Sequence, residues 1–198
     1  MFEIELKFPL HDPAVFAERL NLEGLLSLGS VVQRDNYFNH PARDFATTDE
    51  ALRIRTIGDT LGDTLGDTLA DAQVSITYKG PRQAAVEQDR GVKSRLEIDL
   101  PLAANQAEAW PELLKQLGFR HVAVVAKRRT VYRLVRTGRQ FEVSIDEVDR
   151  LGTFAEVEIL AEANDRESAE QAVLELAAEL GLSNPEPRSY LEMLLELG

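Results

Sequence analysis

With 198 residues, 44% of them hydrophobic and 28% charged, the chain has the size and composition of one folded domain (residues 1–198) and not of a disordered polypeptide. Twenty-two basic against 34 acidic residues give a net charge of -12, which opposes nucleic acid or an anionic membrane as the main partner. The absence of cysteine excludes disulfides, thiolate metal sites and cysteine nucleophiles, and makes a reducing cytoplasm the expected setting.

The first element is legible at once. Residues 2–8 alternate strictly, with Phe2, Ile4, Leu6 and Phe8 on one side and Glu3, Glu5 and Lys7 on the other. This charged start has neither the basic nor the apolar region of a signal peptide, and no apolar run approaches the ~20 residues of a membrane helix. Asp12-Pro13 supplies an N-cap and a first-turn proline for a helix expected to run to about Leu26. Period-2 segments follow near 31–39, 51–57, 73–79, 93–100, 122–135, 139–147 and 154–160. Eight strands suit an up-and-down, barrel-like closure. Asn105 is placed to cap a second helix that Gly118 stops; Asp165 opens a third that ends near Gly181; Ser189 to Leu197 forms a short last one beyond Pro185 and Pro187. The fold class is therefore α+β, a closed eight-stranded antiparallel β-barrel with flanking helices.

Between the third and fourth strands lies a low-complexity stretch, Gly-Asp-Thr-Leu three times over from Gly58 to Leu69. Its Gly and Asp content reads as a long hairpin loop. A calcium-binding repeat is rejected, because the period is four and not nine.

The charged stripes carry the chemistry. Glu3, Glu5 and Lys7 share a face of the first strand, Arg53 and Arg55 of the third, and Lys79 ends the fourth. Arg95, Glu97 and Asp99 alternate with Leu96, Ile98 and Leu100; then come Lys127 with Arg129, Glu142 with Ser144 and Asp146, and Glu156 with Glu158. On a single strand such a stripe is ordinarily a solvated outer face. Here both signs recur on nearly every strand, and helices are available to cover the apolar faces. The charged faces would then line the lumen, which is costly unless ligands neutralise them. A polyphosphate would satisfy the lysines and arginines, and hard divalent cations the carboxylates. Oxygen donors without cysteine or a histidine pair favour Mg²⁺ or Mn²⁺ over zinc. His11, His40 and His121 are scattered and receive no role; serine-elbow, Walker A and dinucleotide motifs are absent.

Glu3-Ile4-Glu5-Leu6-Lys7 resembles the E-x-E-x-K signature that opens the CYTH family, the triphosphate tunnel metalloenzymes. Further matches follow in order: Gln33-Arg34-Asp35-Asn36-Tyr37-Phe38, Leu52-Arg53-Ile54-Arg55, Thr77-Tyr78-Lys79-Gly80-Pro81, Lys127-Arg128-Arg129, and Asp146 with Gly152-Thr153-Phe154-Ala155-Glu156. The likeness covers essentially the whole chain. Leu151 to Glu156 and the tail Glu186-Pro187-Arg188-Ser189-Tyr190 point within the family to the class IV adenylyl cyclases.

That resemblance implies Lys7, Lys79, Lys127 and Arg129 as catalytic cations and Arg53, Arg55 and Arg95 as triphosphate-binding residues. It implies Glu3, Glu5, Glu97, Asp146, Glu156 and Glu158 as holders of Mg²⁺ or Mn²⁺, and a homodimer. The implied reaction is conversion of ATP to cyclic AMP and pyrophosphate. Hydrolysis of a triphosphate such as tripolyphosphate or thiamine triphosphate would use the same residues. A non-catalytic nucleotide- or polyphosphate-binding module is the reading of a different class.

Overall fold

In the computed structural model, which describes residues 2–58, 72–82 and 92–198, the alternating segments form eight strands. They are β1 (Phe2–Pro9), β2 (Leu26–Asn39), β3 (Ala51–Gly58), β4 (Gln73–Lys79), β5 (Lys93–Leu102), β6 (Arg120–Arg136), β7 (Arg139–Val148) and β8 (Gly152–Ala161). All neighbours are antiparallel and the sheet closes on itself, in the order β1-β5-β4-β3-β2-β6-β7-β8. Closure is as expected, but the order is not a simple up-and-down one. β1 sits between β5 and β8, and β2 pairs with β6, so three contacts join strands far apart in sequence. The Gly-Asp-Thr-Leu repeat beyond Gly58 lies outside the described residues, and so does the hairpin loop expected there.

The helices are α1 (Pro13–Leu22), α2 (Phe45–Thr48), α3 (Ala109–Gln116), α4 (Arg166–Glu179) and α5 (Tyr190–Glu196). The Asp12 side chain accepts from the Val15 N–H at 3.1 Å and starts α1 as expected. That helix stops four residues early, at Leu22. Gly24 adopts φ +79°, and the Leu25 N–H returns to the Leu20 carbonyl, a left-handed exit that releases the chain into a longer β2. Asn105 does not cap α3: it lies in a short 3-10 turn, and the helix begins at Ala109. Pro111 explains the delay, since a helix begun at Asn105 would bury a proline in its interior, whereas a start at Ala109 leaves it in the first turn. Gly118 (φ +88°) does end the helix.

Asp165 precedes α4 without capping it; its carboxylate instead takes the Arg139 guanidinium and the Ser168 hydroxyl. Ser189 and Glu192 form a reciprocal capping box on α5. α2 is too short to show periodicity, and the sequence reading missed it.

Three apolar clusters set the layers. α1 and α4 cover the outer face of β1, β7 and β8, with Leu20, Val173 and Leu176 against Ile4, Leu6, Val143 and Val157. Leu114 of α3 packs with Phe38, Ile54 and Val74 on the β2–β4 side. Tyr190 and Met193 of α5 meet Val125, Val148 and Phe154, which continue the inward alternation of Lys127, Asp146 and Glu156. α5 thus lies across one end of the barrel and lines the cavity there. Leu96, Ile98 and Leu100 of β5 remain 41–55% exposed, so the expectation that helices cover every apolar stripe fails on that strand.

Candidate functional site: a charged tunnel

The lumen is a cavity of about 630 Å³. Of the sequence-predicted site residues, Glu3, Glu5, Lys7, Arg53, Arg55, Lys79, Arg95, Glu97, Lys127, Arg129, Glu156 and Glu158 line it. Asp146, fully buried, lies beneath Lys127 and Arg129. Strand pairing brings them together: Glu5 stands opposite Glu158, Lys7 opposite Glu156, Arg129 opposite Asp146, and Lys79 opposite Glu97.

Two ion-pair assemblies organise the cations. Arg129 grips Asp146 through two nitrogens at 2.7 and 2.6 Å and also pairs with Glu156; Lys127 Nζ donates to Asp146 at 2.7 Å. Across the lumen Arg55 forks onto Asp35 at 2.7 Å twice, and Arg53 reaches the same carboxylate at 3.3 Å. Burial alone would raise both aspartates, but their guanidinium partners hold them well below the usual carboxylate range. Lys127 is lowered, by burial and by the Arg129 charge beside it. Asp35 was seen in the sequence only as part of a motif. Its position on the inward alternation of β2, between Gln33 and Tyr37, was the available signal.

Tyr190 was also unassigned. Its hydroxyl donates to Asp146 at 3.0 Å, and its ring lies 4.2 Å from Lys7 Nζ and 4.9 Å from Lys127 Nζ. Lys7 Nζ further donates to the Arg188 carbonyl, so the C-terminal strap is tied to the tunnel floor.

The remaining carboxylates behave differently. Glu3, Glu5 and Glu158 each offer an oxygen within 4.8 Å of the others. Burial dominates at Glu3, yet the adjacent Lys79 ammonium holds it at about 2. Burial pushes Glu158 up to about 8, and the facing charges of Glu3, Glu142 and Glu156 add to it against the pull of Arg129. Glu97, buried beside Lys79, Glu3 and Arg53, is pushed up to about 7. Three converging carboxylates, one of them forced to keep its proton, fit a hard divalent cation. Glu97, Asp146 and Glu156 engage lysine or arginine, as Glu3 does with Lys79, but do not converge with the other three. His121 and His40 pack against Phe38 and Phe119 and stay outside this chemistry.

The linkage gives a pH prediction. Between the ordinary value of 4.5 and about 8, the folded protein keeps a proton on Glu158 that the unfolded chain has lost. Stability of the metal-free protein should therefore fall as pH rises through that window, with Glu97 adding to the fall up to about 7. Metal affinity should rise by about tenfold per pH unit over the upper part of the window, because binding expels one proton. Urea titrations and metal titrations at pH 6, 7 and 8 check both slopes, and flat profiles would remove the buried-proton assignment.

A closed antiparallel barrel whose lumen pairs a girdle of cations with a carboxylate cluster is the architecture of a triphosphate tunnel. The CYTH domain profile matches residues 1–190, and the chain belongs to that family. It is 32% identical over 196 residues to a Methanocaldococcus jannaschii protein provisionally named an adenylate cyclase, covering 98% of each chain. It is 30% identical over 200 residues to the adenylate cyclase CyaB of Aeromonas hydrophila, covering 96% of this chain and 86% of that protein. A solved Pyrococcus horikoshii structure superposes with a TM-score of 0.81 at 36% identity, covering 99% of both chains. A Hippeastrum structure, described as a provisional adenylyl cyclase with a dominant triphosphatase activity, shares the fold at 20% identity, with a TM-score of 0.66 and 98% and 95% covered. No helix among the described residues is long and apolar enough to cross a membrane.

Proposed function

We propose that this chain is a metal-dependent adenylyl cyclase of the class IV type, converting ATP to cyclic AMP and pyrophosphate. The observation that carries the reading is the convergence of Glu3, Glu5 and Glu158 in the same lumen as Arg53, Arg55, Lys127 and Arg129. Both halves of a metal–triphosphate complex find a partner there. The two whole-length relatives named as adenylate cyclases support the choice of reaction.

In this reading Arg53, Arg55 and Arg95 hold the triphosphate chain from one side. Lys7, Lys79, Lys127 and Arg129 lie against the leaving pyrophosphate, where fixed cations stabilise the charge that grows as the bond from the α-phosphorus to the bridging oxygen breaks. The ribose 3′-oxygen forms the new bond to that phosphorus and gives its proton to solvent. Glu3, Glu5 and Glu158 would hold Mg²⁺ or Mn²⁺, which would supply Lewis-acid chemistry at the triphosphate. Glu97, Asp146 and Glu156 keep the cations oriented and complete the acidic wall. Asp35 does the same for Arg53 and Arg55.

The test is a product assay with ATP, and separately with tripolyphosphate, under Mg²⁺ and under Mn²⁺. Cyclic AMP and pyrophosphate in equal amounts is the expected result. Orthophosphate without cyclic AMP would replace the cyclase by a triphosphatase, as in the Hippeastrum protein. Tight ATP binding without turnover would leave a binding module. The proposal extends to a cytoplasmic homodimer without nucleic acid partners; the dimer is checked by sedimentation of the purified chain.

A further inference from the structure

One cation near the tunnel takes no part in its ion pairs. Arg82, just beyond the β4 turn, joins two pieces that are not barrel strands. Its backbone N–H and Nε donate to Asp49, the residue that ends α2, at 2.7 and 2.9 Å. Its other nitrogens reach the Pro187 carbonyl and the Glu192 carboxylate of α5, each at 3.1 Å. Asp49 is itself held at φ +54°, in the left-handed region.

α2 and α5 face each other across one mouth of the tunnel, and both line the cavity. Apart from Leu160, the apolar lining is gathered there, with Phe45, Leu52 and Val122 on one side and Leu191 and Leu195 on the other. Leu195 is 51% exposed, an apolar side chain left at the opening. Polar groups of this mouth are committed to one another: Glu50 takes the Tyr78 and Thr48 hydroxyls, and the Asn39 side-chain oxygen Oδ1 takes the His40 and Phe45 N–H groups. Such a slot suits a flat, largely apolar group attached to the anionic chain gripped deeper in. Its described apolar side chains offer nothing to inorganic tripolyphosphate. Without Arg82, Asp49 and Glu192 would face each other as two uncompensated carboxylates, and their repulsion would spread the slot.

We propose that Arg82 is a positioning residue that holds α5 against α2 at the width that seats the organic part of a triphosphate substrate. This rests on the triphosphate reading above. The consequence is separable from that reading, because the cations that grip the phosphates lie on β1, β3, β4, β5 and β6 and not on the clasp.

The experiment titrates ATP and tripolyphosphate, each with Mg²⁺, into the wild type, Arg82→Ala and Arg82→Lys, and follows α5 amide exchange in parallel. Arg82→Ala should weaken ATP by about tenfold, the effect of losing a charge-assisted contact set, and change tripolyphosphate by less than about twofold. The same loss should appear in KM and not in kcat, α5 amides should exchange faster, and Arg82→Lys should recover part of the ATP affinity. If Arg82→Ala does not fold, Glu192→Gln keeps the helix cap and removes one arm of the clasp. It should weaken ATP alone, by about threefold. Equal weakening of both ligands, or of neither, would overturn the assignment. Failure of the wild type to bind either ligand would instead sink the triphosphate reading beneath it.

Discussion

Glu158→Gln is expected to lower metal-dependent turnover by at least about a hundredfold while making the metal-free protein more stable at pH 8. The two effects have one cause. Glu158 lies buried among Glu3, Glu142 and Glu156, and its carboxyl is pushed up to about 8 by that environment. A neutral amide of the same shape escapes the cost of ionising there, a gain on the order of 4 kcal/mol at pH 8. The same amide is a poorer ligand for a hard cation and leaves Glu3 and Glu5 with a weaker third partner. Activity is read as product formed per metal-loaded enzyme, and stability by urea titration without metal. Full turnover in the variant would remove Glu158 from the metal set. Unchanged stability at pH 8 would show that the carboxyl is not strained in the folded state.

The second large effect is on the fold itself. Arg129 is 6% exposed and compensates two buried carboxylates, Asp146 and Glu156. In Arg129→Ala, Asp146 keeps Lys127 and the Tyr190 hydroxyl while Glu156 loses its arginine, and stability at pH 7 should drop by about 3–5 kcal/mol, the usual cost of orphaning a buried charge. Part of that loss should return near pH 5, where the orphaned carboxylates can take up protons. Arg129→Lys keeps the charge but loses the two-pronged grip, and should fall between. A loss below about 1 kcal/mol would mean that water already solvates this wall.

Much of the site was readable because strands repeat every two residues. Once Glu3, Glu5 and Lys7 alternate with Ile4, Leu6 and Phe8, their common direction follows from backbone geometry alone. The same holds for Arg53 with Arg55, Lys127 with Arg129, and Glu156 with Glu158. Helix signals fared unevenly. Ser189 and Gly118 marked true ends, whereas Asn105 was a false start because Pro111 lies within the first turn of the actual helix. α2, four residues long, has no period to detect.

The local chemistry of the chain therefore settled which residues face together, the class of closed sheet, and the pairing of a cationic with an acidic set. These depend on alternation, capping and charge, all of which act over a few residues. Partners and register came only with the tertiary structure: β1 between β5 and β8, Asp35 under two arginines, Tyr190 over two lysines, and Arg82 across the mouth. Arg82 and Glu192 are 110 residues apart in sequence. Contacts at that distance are decided by which strands find one another when the barrel closes, and no local pattern encodes them.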